Sequence, residues 1–351
     1  RNRTGSMARR RTAMLVALGL VALLLLPAAF SAPSLIYMPT DVPVNPVSFA
    51  RGLTLDYYDE LCPDVRDLVR AVVLDALGED MSIAAGLLRI FFHDCFPQGC
   101  DASILLNGTG TPFGGEQQMP PNRGLQPKAL QLIEEIRAKV HAVCGPTVSC
   151  ADITSLATHD AVVASGGKPY YVPLGRMDSR RAAAWSYVYD LPHFTADISD
   201  VIATFRSRRY FDATDVVALS GAHSIGKAHC STFTGGFRKE DSDFAEKLRR
   251  NCTNGGDDRM QYLDVNTPHV LDNVYYHNLK EGKGVLATDQ LLNGDDRTKW
   301  LVDGFADDEW WFWNQFGTSM RKMGMLEGYF GNVGEVRHVS CSQRNPPAST
   351  A

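Results

Sequence analysis

Residues 81–103 read MSIAAGLLRIFFHDCFPQGCDAS. The apolar period of Met81–Cys95 is helical and sets Arg89 and His93 four residues apart, one turn along the same face, with Phe92 beside them. A guanidinium and an imidazole on one wall can act as charge stabiliser and proton acceptor. The chain then changes character. Asp94, Asp101 and the Ser103 hydroxyl, with loop carbonyls between them, are hard oxygen ligands of the kind calcium prefers. The spacing of Cys95 and Cys100 suits a tight disulfide clamping that loop. Taken alone, the stretch also reads as an ordinary capped helix followed by a solvated acidic loop.

A second histidine segment lies further on. Ser220-Gly221-Ala222-His223-Ser224-Ile225-Gly226 follows a short apolar helix, and its small residues leave room for something flat and bulky near the backbone. Residues 263–273, LDVNTPHVLDN, again gather oxygen donors, and Thr288-Asp289-Gln290 offers a lone carboxylate in a loop.

Around these motifs the periodicity is mostly helical. It predicts helices over Val65–Leu77, Pro127–Val143, Ser149–Ser165, Asp197–Phe205, Thr214–Ser220, Phe244–Arg250, Asn273–Lys280 and Trp300–Met323. Long alternating strand patterns are scarce, so the fold class is mainly α. The aromatic run Trp310-Trp311-Phe312-Trp313 reads either as a core-facing helix or as a surface aromatic that handles substrates or electrons.

The chain has 351 residues and a formal charge of −5. Residues 1–50 hold five Arg and one Asp, which leaves 30 basic and 39 acidic residues beyond them, or −9. So acidic a chain is a poor phosphate-backbone binder, and nucleic acid is not an expected partner. Three arginines at 9–11 precede 18 apolar residues, Ala13–Phe30, which reads as an export signal over 1–32; the rival reading is a membrane anchor. A Pro-rich segment follows over 33–50, with cleavage as late as Ala50 also compatible. The folded domain is expected over 51–345 and a disordered tail over 346–351. All eight cysteines fall between 62 and 341, and an even number in an exported chain suggests four disulfides of open connectivity. After signal removal no membrane association is expected.

LLRIFFHDCFPQGCDAS, VSCADI, VPLGRMDSR, DVVALSGAHSIGKAHC, VNTPHVLDNVYY, ATDQ and MRKMGMLEGYFGNVGEVRHVSC, in this order, resemble the secreted plant haem peroxidases of class III. The match runs from about Tyr57 to Cys341. The resemblance implies the plant haem-peroxidase fold, mainly α, with one haem b held between distal and proximal helical halves, four disulfides and two calcium sites. By motif position, His93 resembles the distal general base, Arg89 its partner and Asn122 the residue that hydrogen-bonds the distal histidine; Phe92 adjoins the haem. His223 matches the proximal iron ligand, Asp289 the carboxylate behind it, and Pro173 the proline whose carbonyl contacts phenolic substrates. The first calcium site would use Asp94, the carbonyls of Pro97 and Gly99, Asp101 and Ser103, with Glu116 through water. The second would use Ser224, Asp264, Thr267, the carbonyl of Val270, and Asp272. The implied pairing is Cys62–Cys144, Cys95–Cys100, Cys150–Cys341 and Cys230–Cys252. Ala222 stands where glycine is frequent in the family, and Ser224 where threonine is common.

The implied function is reduction of hydrogen peroxide to water with one-electron oxidation of phenolic donors by a secreted monomer of the cell wall or vacuole. Roles in the oxidative stress response, peroxide catabolism and cell-wall phenolic metabolism go with it. Asn107 and Asn251 head N-glycosylation sequons. His229 is placed either near a haem propionate or in a structural role. Two readings compete: a haem- and calcium-carrying extracellular protein without turnover, and a haem-free disulfide scaffold. The joint presence of Arg89, His93, Asn122, His223 and Asp289 argues against the first, and purified protein without a Soret band would favour the second.

Overall fold

The computed structural model describes residues 52–108, 115–208, 210–234, 243–253, 259–326 and 333–347. The expected signal (1–32), the Pro-rich segment (33–50) and residues 348–351 of the expected tail lie outside them.

Apolar residues at helical spacing bury one stripe of α1 (Val65–Glu79): Val65, Val69, Val73 and Leu77. The helix expected over Met81–Cys95 is α2 (Ile83–Gln98), which runs one turn further. That last turn contains Pro97, which has no N–H to give the carbonyl four residues back. α3 (Pro127–Cys144) opens on a proline, where no donor is needed. α4 (Cys150–Ala164) starts at Ser149, whose Oγ accepts the Asp152 N–H at 3.1 Å. Every residue from Cys150 to Val162 is buried, so α4 is a central helix with partners on all sides. It packs against α1, α2 and α3.

Two short helices follow, α5 (Trp185–Tyr189) and α6 (Ile198–Ser207), and then α7 (Ala213–Ser220), held by a reciprocal cap between Asp212 and Asp215. α7 runs directly into a single 3-10 turn, Gly221–Ser224. Beyond it come β1 (Lys227–His229), α8 (Cys230–Thr234), α9 (Asp243–Thr253) and β2 (Met260–Tyr262); β1 and β2 pair antiparallel, with Ala228 opposite Gln261. α10 (Val274–Lys280), α11 (Ala287–Leu291), α12 (Asp296–Asp307) and α13 (Glu309–Gly324) complete the order. α7, α10, α12 and α13 pack together, and α13 also touches α2.

The single helix expected over Trp300–Met323 is two. The chain extends at Asp308 (φ −134°, ψ 94°), and the Asp308 carboxylate accepts the Trp311 N–H at 3.0 Å. The aspartate caps a new helix instead of continuing the old one, which hydrophobic periodicity alone does not register. The disulfides are Cys62–Cys144, Cys95–Cys100, Cys150–Cys341 and Cys230–Cys252. Bridges of this kind each contribute about 2–4 kcal/mol, mainly by restricting the unfolded chain.

One buried ion pair ties distant segments together. Arg176 Nη1 donates to Asp152 Oδ1 in α4 and to the Pro173 carbonyl, each at 2.7 Å, while its Nε donates to the Gly324 carbonyl at the end of α13. Asp152 also accepts from Tyr58 Oη at 2.8 Å and from the Gly175 N–H at 2.7 Å. Removing one partner leaves the other charge buried without compensation. Arg176→Met is therefore expected to destabilise the protein by about 3–5 kcal/mol, read as a lower urea midpoint.

Candidate active site

α2 carries Arg89, Phe92 and His93 within little more than one turn. Pro120–Asn122 forms a 3-10 turn that brings Asn122 against His93. Asn122 Nδ2 donates to the Glu116 carbonyl at 2.9 Å, which leaves Oδ1 facing the imidazole; it accepts from His93 Nδ1–H at 2.7 Å. His93 Nε2 then carries the lone pair. Arg89 Nε, which can only donate, points at that nitrogen from 3.4 Å. The guanidinium is itself held by the carbonyls of Gly124 (2.9 Å) and Arg123 (3.0 Å). Burial pushes the His93 pKa down and the Arg89 charge pushes it the same way, with the Asn122 hydrogen bond opposing only in part, to about 3. His93 is a neutral base.

On the opposite side, His223 lies in the 3-10 turn after α7. Its Nδ1–H donates to Asp289 Oδ1 at 2.9 Å, and Asp289, on α11, is buried. Burial pushes the His223 pKa down, but the Asp289 charge and hydrogen bond outweigh it, and the net shift is upward. With Nδ1 engaged, Nε2 is free. The His223 side chain keeps 39% of its surface accessible. The Arg89 charge pushes the pKa of both imidazoles down. A methyl at Gly221 would meet Phe312 and the Tyr276 hydroxyl at 2.6 Å, so only glycine lets this turn lie so close to α10 and α13.

These residues fit a flat metal macrocycle: one imidazole nitrogen is free to ligate, and a second carries a lone pair able to act as base. Phe92 stands edge-on to His93 at 5.8 Å. His229 Nε2 and Arg89 Nη1 both flank Gly124.

Two oxygen clusters adjoin the histidine-bearing segments. In the first, Asp94 accepts the Ala102 N–H at 2.9 Å, Asp101 accepts from Gln98 Nε2 at 2.8 Å, and Glu116 accepts the Ala183 N–H at 2.8 Å. The Ser103 hydroxyl and Glu116 Oε1 are buried without a hydrogen-bond partner. Burial drives all three carboxyl pKa values up, and repulsion from neighbouring carboxyls adds to it at Asp94 and Glu116: Asp94 well above its usual range, Asp101 to about 6 and Glu116 to about 7. Pro97 and Gly99 lie in the turn between Asp94 and Asp101, buried. The second cluster joins Ser224 Oγ to the Val270 carbonyl (2.8 Å) and Thr267 Oγ1 to Asp272 Oδ1 (3.1 Å), while Asp264 Oδ1 accepts the Thr267 N–H at 2.8 Å. Asp264 Oδ2 is buried and unpartnered. Among the described residues no three acidic, histidine or cysteine side chains form a metal-binding group by themselves, so hydroxyl and carbonyl oxygens have to complete any site. Unpartnered buried oxygens beside crowded carboxylates are the donor set calcium takes.

Pro173 is buried, its carbonyl accepts from Arg176 Nη1 at 2.7 Å, and the residue lines a small cavity with Phe91, Tyr170 and Met320. The proline serves the ion pair that joins α4 to α13. Sequence reasoning missed the 121–124 carbonyls that cage Arg89, and Tyr275, which stands edge-on to His223 at 6.5 Å. Backbone carbonyls carry no residue signature, so no pattern announces the first. Asn107 and Asn251 are both exposed.

A family model described as peroxidase matches residues 69–308. The chain is 46% identical over 308 residues to cationic peroxidase SPC4 of Sorghum bicolor, covering 86% of this chain and 84% of that protein. It is 41% identical over 301 residues to peroxidase 12 of Arabidopsis thaliana (84% and 83%), and 42% identical over 296 residues to peroxidase 42 of Zea mays (84% and 90%).

Without a cation the raised carboxyl pKa values favour the folded state below about pH 4, where the unfolded chain is also protonated, and that stability is lost as pH rises through 6 to 7. Calcium chelation is therefore expected to lower the melting temperature strongly at pH 8 and little at pH 4.5. Equal loss at both values would contradict the assignment of the first cluster.

Proposed function

The chain belongs to the plant peroxidase family, and on that premise we propose how its residues serve the reaction and which groups they hold. It reduces hydrogen peroxide with electrons from organic donors. His223 Nε2 would hold the iron of one haem b, and the two oxygen clusters would hold one calcium ion each. The haem, when bound, supplies the redox chemistry that cleaves the O–O bond and returns electrons singly.

The protein's own part is proton handling, charge stabilisation and orientation. His93 Nε2 takes the proton of incoming peroxide and returns it to the departing oxygen. Arg89, fixed by its carbonyl cage, stabilises the negative charge that develops as the bond breaks. Asn122 locks the tautomer that leaves His93 Nε2 unprotonated. Asp289 accepts the Nδ1 proton of His223, which makes that imidazole a more electron-rich ligand. Glu116 belongs to the first cation cluster and its carbonyl fixes Asn122, so calcium would brace the base from behind.

One observation carries this reading: two imidazoles are each held at Nδ1 by an oxygen, at 2.7 and 2.9 Å, so that the lone pair of each ring lies on Nε2, with Arg89 Nε 3.4 Å from that of His93. The donors we assign are small phenols. Export is supported by the Arg-flanked apolar leader and four disulfides, with the cell wall or vacuole as destination and Asn107 and Asn251 as glycan sites. Among the described residues no helix is long and apolar enough to cross a membrane.

His93→Ala is expected to slow reaction with peroxide by about 10²–10⁴-fold while the Soret band of bound haem persists. Near-normal peroxide rates would refute the base assignment. Because His93 stays neutral down to about pH 3, the peroxide step should be flat from neutral pH toward that value and fall below it. Arg89→Gln, which removes the cation that disfavours imidazolium, should move that fall to higher pH in stopped-flow measurements.

A further inference from the structure

A series of touching aromatic rings runs from the surface to His223. Trp300, on α12, is 55% exposed and lies 6.0 Å, centroid to centroid, from Trp311 on α13. Trp311 meets Phe305 at 5.0 Å, Phe305 meets Tyr276 at 5.3 Å, and Tyr276 meets Tyr275 at 5.0 Å. Tyr275 stands 6.5 Å from His223. Phe305, Tyr276 and Tyr275 are fully buried. Two glycines make this packing possible. A methyl at Gly304 would fall 2.0 Å from the Trp311 ring, and one at Gly221 would collide with the Tyr276 hydroxyl.

Resting on the peroxidase reading above, we propose that Trp300 is a second oxidation site, serving phenolic groups on macromolecules too large to enter the cleft. The ring series carries the electron. Indole and phenol rings give up an electron far more readily than aliphatic side chains or a benzene ring, so Trp311, Tyr276 and Tyr275 carry the charge and Phe305 only fills the interval between Trp311 and Tyr276, ring against ring. Tyr276 Oη donates to the Val217 carbonyl at 2.9 Å and has no base for its proton, so it passes charge on and does not store it. Trp300 can release its indole proton to water, which makes it the stable terminus. Residues 295–309 carry six carboxylates and two cations, so the surrounding surface favours neutral or cationic donors.

The step balances. Peroxide reduction leaves the cleft short of two electrons, which return one at a time. Trp300 sends one electron inward and its Nε1 proton to solvent. The indolyl radical then takes a hydrogen atom, one electron and one proton, from a phenolic hydroxyl, regenerating indole and leaving a phenoxyl radical. Two such events supply the two electrons, and the two protons released are consumed as one peroxide becomes two waters.

The test uses the holoenzyme with one equivalent of peroxide and a nitroso spin trap, followed by peptide mass spectrometry. The expected result is a trap adduct on the peptide bearing Trp300, absent in Trp300→Phe. It should persist in Trp310→Phe, since among the described residues no ring contact joins exposed Trp310 to the series. With a lysine–tyrosine copolymer as donor, dityrosine formation should fall at least about tenfold in Trp300→Phe and in Trp311→Phe. Oxidation of a small phenol by Trp300→Phe should stay at the wild-type rate. No adduct at Trp300 in the wild type, or unchanged copolymer oxidation in Trp300→Phe, would overturn the second site while leaving the first intact. Failure of wild-type holoenzyme to oxidise the small phenol would instead overturn the reading on which it rests.

Discussion

The site depends on two hydrogen bonds that decide which imidazole nitrogen is free. Asn122 Oδ1 takes the Nδ1 proton of His93, and Asp289 takes that of His223. The acceptors differ in charge, and so do the consequences. A neutral amide leaves His93 under the influence of burial and of Arg89, so it stays unprotonated. A carboxylate drives His223 upward and makes it a richer donor. The same ring chemistry thus suits one imidazole to the base role and the other to the ligand role proposed above.

Much of the remaining structure keeps those two bonds in place. The Glu116 carbonyl orients Asn122, and the Glu116 carboxylate sits among the carboxyls of Asp94 and Asp101, whose mutual repulsion and burial call for a cation. On the proximal wall, Ser224 follows His223 directly and binds the Val270 carbonyl, beside Asp272 and Thr267. Each cluster is covalently next to a histidine segment. In the proposed function a cation filling either cluster would therefore act on the adjoining histidine through backbone continuity.

The distal segment was legible in sequence because its chemistry is local. Arg89 and His93 share a face through the helical period, and Asp94, Asp101 and Ser103 lie within ten residues. The helix starts at Pro127 and Ser149 were legible for the same reason, since capping and proline effects act over one turn. The break at Asp308 was not, because an aspartate after an apolar run is read from its hydrogen bond and not from its position. Pro173 was named from a motif; that its carbonyl also accepts from the buried Arg176 guanidinium was not legible, because backbone carbonyls carry no residue signature.

By itself the sequence determined the mainly helical class, the residue types on each wall and the family, since helical period, capping and motif order are properties of neighbouring residues. Only the tertiary structure decided that Asn122 faces His93, that Asp289 reaches His223 across 66 positions, and that rings from α10, α12 and α13 form one continuous series. Those contacts join residues remote along the chain, and their geometry is set by how helices pack, down to the missing side chains at Gly221 and Gly304.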